Sequence, residues 1–326
     1  MHESPIAGRD DPKTWVEFEE GCSSDETCAV YLETRRWPAG CCCPACAVMA
    51  IPGRATRGRL ICRACHPPSS VTAGTIFDRT RTSLRGWFAA AWYITSQKQG
   101  VSALGLQRVR GVNSYQTAWA MRHRFRRAMV RPDRDRLGGR VEGDEAYLAL
   151  RGGAPVKRKG ASPKPHPNSH VVAIAVAVAV LESHGVGRIR ERRIQAPTPD
   201  ALRPLVREPV APGASVRTEG AAIDGPLPNE GFAHDAFVLL GSTLPAPAPL
   251  PGGHRVASVL KRWRRGAHHG AGDPRHVDDD LDEVTFRFHR RPSRSRGMLC
   301  YRLRQQSAAT TPGTYANIRD NEHCPR

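Results

Sequence analysis

Apolar and polar positions change period along this chain, and the change divides it. Leu84, Trp87, Phe88, Ala91 and Trp92 recur at three- and four-residue intervals, which predicts an amphipathic helix over residues 84–94. A second helix is predicted from Ser102 to Val109 and a third from Ser114 to Met129, with Gly111-Val112-Asn113 as the turn between them. Helix, short glycine-containing turn and helix is the helix-turn-helix pattern. Further toward the N-terminus, residues 15–37 set Trp15, Phe18, Tyr31, Leu32 and Trp37 among acids, as in a short helix packed on its C-terminal neighbours.

From Val141 the spacing shortens. Val141-Glu142-Gly143-Asp144-Glu145-Ala146-Tyr147-Leu148 alternates apolar and acidic residues as a strand does, and Val171–Val180 is a Val/Ala/Ile run that reads as a buried strand. Gly185-Val186-Gly187 turns the chain, and Arg188–Ile194 alternates apolar and basic residues as the next strand. A short helix over Asp200–Val206, a strand over Ser215–Gly220, a strand within Phe232–Leu240 and a helix from His254 to Trp263 complete the pattern.

Charge narrows the class of partner. The 326 residues hold 49 Lys plus Arg against 31 Asp plus Glu, a net charge of +18. Such an excess favours polyanions, DNA or RNA, and double-stranded DNA is the partner expected once the motifs below are added. Ribosomal proteins and Arg-rich chains share this balance, so charge alone names a partner class and not a function. The helix-turn-helix sharpens it. Arg122, Arg124, Arg126 and Arg127 on its last helix, and Lys157-Arg158-Lys159 in a Gly-rich loop, are expected to contact the DNA backbone. Arg287, Arg290, Arg291, Arg294 and Arg296 form another basic cluster, open between DNA contact and a solvated face. The N-terminus shows no basic-then-apolar leader, and the longest apolar run, Val171–Leu181, is 11 residues, too short to span a bilayer. A soluble, intracellular chain, cytoplasmic rather than membrane-bound, is expected.

In that compartment the ten cysteines read as metal ligands or free thiols rather than disulfides. Cys43-Pro44-Ala45-Cys46 and Cys62-Arg63-Ala64-Cys65, with 15 residues between them, are two knuckles that can share one tetrahedral Zn2+. Four thiolates leave no open position, so the zinc is expected to be structural. Cys41 and Cys42 are adjacent competitors; Cys22, Cys28, Cys300 and Cys324 show no pairing pattern.

Three strands, a helix and a strand, with acids at the ends of the first and fourth strands, is the order of a ribonuclease-H-like fold. Asp144 and Glu219 fill those ends. Convergent oxygen ligands on two divalent ions, Mg2+ or Mn2+, are what phosphodiester cleavage of this kind needs. His254 and Lys261 are seven residues apart, so one helix face carries both two turns apart. Spacing alone leaves His254 open between a third ligand and an ordinary core or surface histidine.

The chain resembles the ISXO-like group of DDE-type insertion-sequence transposases with an N-terminal zinc ribbon. The matching pieces are the two CxxC knuckles, Ser70-Val-Thr-Ala-Gly-Thr-Ile-Phe77, Val141–Tyr147, His254–Lys261 and Leu281–Arg291, spread over residues 40–305. The resemblance implies an α/β chain, an RNase-H-like mixed sheet flanked by helices, preceded by a small zinc ribbon and a helical segment. It implies Asp144 and Glu219 as the first two metal-binding acids, His254 in a third place that varies in the family, and Lys261 for a phosphate or DNA end. It also implies metal-dependent cleavage and strand transfer at the ends of an insertion sequence, by a homo-oligomer on DNA.

Three departures bear on activity. The family's second acid is normally Asp before Gly and an aromatic; here it is Glu219-Gly220-Ala221, with Asp224 as an alternative acid. Pro245, Pro247, Pro249 and Pro251 alternate through an irregular loop, and His289 stands where Asn is usual. The alternative reading is therefore a relic that binds DNA without cutting it. The expected division is residues 1–75 for the N-terminal segment and ribbon, 76–136 for the helical DNA-binding segment, 137–310 for the DDE domain, and 311–326 for a flexible tail.

Overall fold

The structure is a computed structural model. It describes all residues except 1–5, 7–8, 44, 50–51, 56–58, 67, 131–133, 152–168, 181–184, 195–197, 220–230, 238–249, 269–271 and 321–326. The chain forms two compact units, residues 1–131 with 292–326, and residues 132–291.

The first unit opens with helices α1 (Trp15–Gly21) and α2 (Asp25–Arg36), where the sequence predicts one. Ser24 divides them: it caps α2 in a reciprocal capping box with Thr27. A three-stranded antiparallel ribbon comes next, β1 (Gly53–Arg54), β2 (Leu60–Ile61) and β3 (Pro68–Ser69). Then come α3 (Leu84–Ser96), α4 (Ala103–Arg110) and α5 (Tyr115–Ala128), close to their predicted spans. Gly111, left-handed at φ 60°, ends α4, and Ser114 caps α5. The core is aromatic: Phe77, Trp87 and Phe125 meet edge to face at 5.2–6.5 Å.

The second unit is a five-stranded sheet. Its strands are β4 (Arg140–Arg151), β5 (Ser169–Val180), β6 (Val186–Ile194), β7 (Ser215–Glu219) and β8 (Ala233–Phe237). Their spatial order is β6-β5-β4-β7-β8. The first three pair antiparallel, and β7 and β8 continue the sheet parallel to β4. Helix α6 (Pro199–Arg207) covers one face, where Val206 packs with Val141, Ala177 and Val216. Helices α7 (Pro251–His268) and α8 (Val277–His289) cover the other, where Val256, Leu260, Val277, Leu281 and Val284 pack with Leu148, Val178 and Ile189. Each such side chain, fully buried, contributes roughly 1.5–3 kcal/mol. This is the α/β arrangement that the sequence predicts, a mixed sheet flanked by helices and preceded in the chain by a small ribbon.

The chain then returns to the first unit. Helix α9 (Arg296–Ala309) buries Leu299, Cys300 and Leu303 there, and α10 (Tyr315–Arg319) buries Ile318. The second unit thus ends at Arg291, ahead of residue 310, and residues 315–319 are helical where a tail was expected. A buried apolar side chain per turn is what recruits each segment. Arg287, Arg290 and Arg291 of the basic cluster are engaged within the second unit. Arg287 pairs with Glu283 at 2.9 Å, and Arg290 and Arg291 lie 3.9 Å over the rings of Phe286 and Phe288.

His289 also has a structural role. Its Nε2 accepts the backbone N–H of Ile189, on edge strand β6, at 2.9 Å. Burial, helped by the charge of Arg190, holds this imidazole down to about 4, so it is neutral at pH 7. Among the described residues no helix is long and apolar enough to cross a membrane.

Candidate active site

Strand β4 carries the acids. Residues two apart share a strand face, so Glu142, Asp144 and Leu148 all look toward α7, while Val141 and Tyr147 look toward α6. Asp144 is nearly covered, its side chain 7 % exposed. Its Oδ1 accepts the N–H of Glu145 at 2.8 Å.

Helix α7 brings His254 over this strand. Pro251 suits the helix start, since its missing N–H would have no partner there. The stripe Val256, Leu260, Trp263 and Ala267 docks on the sheet. That docking carries His254 to Asp144, with Nδ1 3.6 Å from Oδ2. Lys261, two turns on, is exposed. The approach is close because residues 252 and 253 are glycines. A Cβ on Gly253 would lie 2.7 Å from Asp144 Oδ2, and one on Gly252 would lie 2.8 Å from Glu142 Oε2.

Glu219 is the last residue of β7. The parallel ladder between β4 and β7 runs to Gly143 opposite Thr218, so Asp144 and Glu219 are the next residues on neighbouring strands. The side chain of Glu219, and all of Asp224, Lys157, Arg158 and Lys159, lie outside the described residues. Gly143 allows the strands to close: a Cβ there would be 3.2 Å from the Thr218 methyl.

The arginines of α5 do not form an exposed row. Arg122 and Arg126 are buried, on the same stripe as Ala118 and Phe125. Arg124 donates to the carbonyls of Ile76 and Gly313 at 3.2 and 3.1 Å. Arg127 is half-buried. The exposed side chains around the α4–α5 turn are instead Arg108, Val109, Asn113, Tyr115 and Gln116.

The ribbon cysteines converge. The sulfurs of Cys43, Cys46, Cys62 and Cys65 all lie within 4.8 Å of one another. The two knuckles are copies of one local design. Ala45 and Ala64 each direct an N–H at the first sulfur of their pair, at 3.4 Å. Ala47 and His66 then adopt left-handed φ of 57° and 61° and bond back to the carbonyls of Cys43 and Cys62. Backbone N–H groups of Cys65 and Ala64 lower the Cys62 thiol to about 6, which favours the thiolate that a metal takes.

One residue at this site, Glu142, went unmarked in the sequence, though two signals pointed to it. Glu142, 5 % exposed, accepts the Gly253 N–H at Oε2, 2.9 Å away. Its signal was present in period two, which sets it on the face of Asp144. The Gly252-Gly253 pair was the other signal, since two glycines opening a helix cost stability unless close packing requires them.

Comparison with known proteins matches the order of ribbon and sheet domain along the chain. Residues 136–289 match the family model for the ISXO2-like transposase domain, and residues 23–67 match that for the transposase zinc-ribbon domain. The chain is 28% identical over 226 residues to an uncharacterized protein in transposable element ISH50 of Halobacterium salinarum, covering 66% of this chain and 72% of that protein. A mixed sheet in the order β6-β5-β4-β7-β8, preceded in the chain by a four-cysteine ribbon, is thus similar over both parts to the ISXO2-like transposases and their zinc ribbon.

Proposed function

We propose that this chain cuts DNA at the ends of an insertion sequence and transfers the freed 3'-hydroxyl to target DNA. The observation that carries the reading is the meeting of Asp144 and His254 across β4 and α7, at 3.6 Å, beside the end of β7 where Glu219 sits. Neighbouring ligand atoms on an ion with bonds of about 2.1 Å lie roughly 3–3.5 Å apart, so this carboxylate and imidazole suit joint ligation. Asp144, Glu219 and His254 would hold divalent metal. When bound, such ions activate the attacking oxygen and stabilise the leaving one. Imidazole suits Mn2+ better than Mg2+.

The chain's own groups do the rest. The packed face around Leu148 and Val256 limits water behind the acids. Lys261, exposed two turns beyond His254, would pair with a phosphate and orient the strand. The four ribbon thiols would hold a structural Zn2+. DNA would be gripped through the helix-turn-helix, whose second helix offers Asn113, Tyr115 and Gln116 at its N-terminal end, the part that reads bases in this motif. Arg108 would contact phosphate beside it. The reading places the chain in the cytoplasm, as a homo-oligomer joining paired ends.

A second reading is a DNA-binding relic. Glu219 favours it, because a ligand one methylene longer moves its carboxylate, and misplacement of about 1 Å can cost on the order of a hundredfold. The test is Mn2+-dependent cleavage of a labelled duplex carrying the element's end. Wild type is expected to cut, Glu219→Asp to cut at least as fast, and Asp144→Ala to bind without cutting. Binding with no cleavage by wild type or Glu219→Asp would establish the relic.

A further inference from the structure

Most helices here begin on a hydroxyl supplied by the residue just before them. Thr14, Ser24, Ser83, Ser102, Ser114, Thr198, Ser295 and Thr314 each accept the N–H three residues on. Helix α7 departs from this rule. The residue before it is Leu250, which has no side-chain acceptor. The N–H of Gly253 goes instead to Glu142 Oε2 at 2.9 Å, a partner 111 positions away.

We propose that Glu142 is a positioning residue of the active site. Its carboxylate acts as the N-cap of α7 from within the sheet, anchors that helix to β4, and so sets His254 opposite Asp144. The inference rests on the roles given to Asp144 and His254 above.

Three observations support it. A buried carboxylate is costly unless compensated, and a helix N-terminus compensates it twice, by a charge-assisted hydrogen bond and by its positive end. The joint has no slack: a Cβ on Gly252 would lie 2.8 Å from Glu142 Oε2 and 3.2 Å from Val178. Finally, Glu142 and Asp144 occupy one face of one strand, two residues apart, and Gly253 and His254 are consecutive. Anchor and reacting pair are therefore the same contact, displaced by one step on each element.

Positioning differs from metal ligation in what it asks of the side chain. An anchor needs an acceptor of the right length; a ligand needs the charge. Glu142→Gln keeps acceptor and length, Glu142→Asp keeps charge and loses reach, and Glu142→Ala loses both. The full chain and its variants are compared by hydrogen exchange over residues 250–256 and by Mn2+-dependent cleavage with kcat and KM resolved. Glu142→Ala and Glu142→Asp are expected to exchange at least tenfold faster there and to lose about 10- to 100-fold in kcat, with KM for the duplex little changed. Glu142→Gln is expected to stay within about threefold of wild type on both measures, since the acceptor that fixes the geometry remains. Glu142→Gln failing while Glu142→Asp works would overturn the proposal in favour of ligation. No change in Glu142→Ala would overturn it outright. If Glu142→Ala does not fold, the Gln and Asp variants decide between them. If wild type cleaves nothing, the catalytic reading has failed, and the exchange comparison still decides the anchor.

Discussion

The four ribbon sulfurs and the acidic site are assembled over very different distances. Cys43 and Cys65 are 22 positions apart, and each knuckle shapes itself with its own backbone N–H groups. The proposed acidic site would draw Asp144 from β4, Glu219 from β7 and His254 from α7, and the Glu142–Gly253 hydrogen bond beside it spans 111 positions. The first is held by local turns. The second is held by strand register and helix docking. A local site fails alone, whereas a remote one fails with the packing that supports it.

The largest expected effect breaks the local site by itself. Structural zinc supplies folding free energy of order 10 kcal/mol to small metal domains. Cys62→Ser, or a strong chelator, is therefore expected to release one zinc per chain and make residues 40–75 sensitive to protease, while residues 132–291 stay protected. Limited proteolysis with zinc analysis measures both. Loss of protection in the sheet unit at the same chelator concentration would show that the two sites are not independent.

Next comes a change that separates site geometry from stability. Alanine is preferred over glycine within a helix by about 1 kcal/mol. Yet a Cβ at Gly253 would stand 2.7 Å from Asp144. Gly253→Ala is thus expected to push α7 off β4 and cut cleavage about a hundredfold, near 3 kcal/mol in the barrier. A rise in Tm with unchanged cleavage would mean that α7 is free to shift and that docking does not set the site.

The same contrast decided what the sequence disclosed. The knuckles were legible because two CxxC pairs fix their own geometry. The strands of the sheet were legible from the period of Val171–Val180 and Arg188–Ile194, and the strand that carries Asp144 from its alternation of apolar and acidic residues. The facing of α5 was not. Arg122 and Arg126 fall four residues apart on the stripe of Ala118 and Phe125, and charge gave no sign that this stripe is buried. Glu142 was missed because its role depends on a partner that only the docking of α7 supplies. His289, read as a departure from the usual Asn, turns out to accept the N–H of Ile189 within edge strand β6. Local chemistry is written in spacing; remote chemistry appears only after register and docking are known.

The smallest expected effect tests the packing behind the acidic site without touching it. Glu191 on β6 accepts the Thr285 hydroxyl of α8 at 3.0 Å. Burial drives its carboxyl up to about 8; the Thr285 hydrogen bond opposes this and the charge of Asp282 adds to it. A group whose folded value lies above its ordinary 4.5 stabilises fully below 4.5, and that contribution is lost as pH rises through about 8. Wild type is therefore expected to lose stability across this window, on the order of 1–2 kcal/mol after relaxation and water entry. Glutamine has the shape of the protonated acid and does not titrate. Glu191→Gln should match wild type near pH 4.5 and exceed it increasingly toward pH 8, as read by urea unfolding of the sheet unit. The ribbon, built locally, should show no difference between the two proteins at any pH. A gain that is constant with pH would assign the effect to packing rather than to the buried proton. A gain that spreads to the ribbon would show that the two units unfold together.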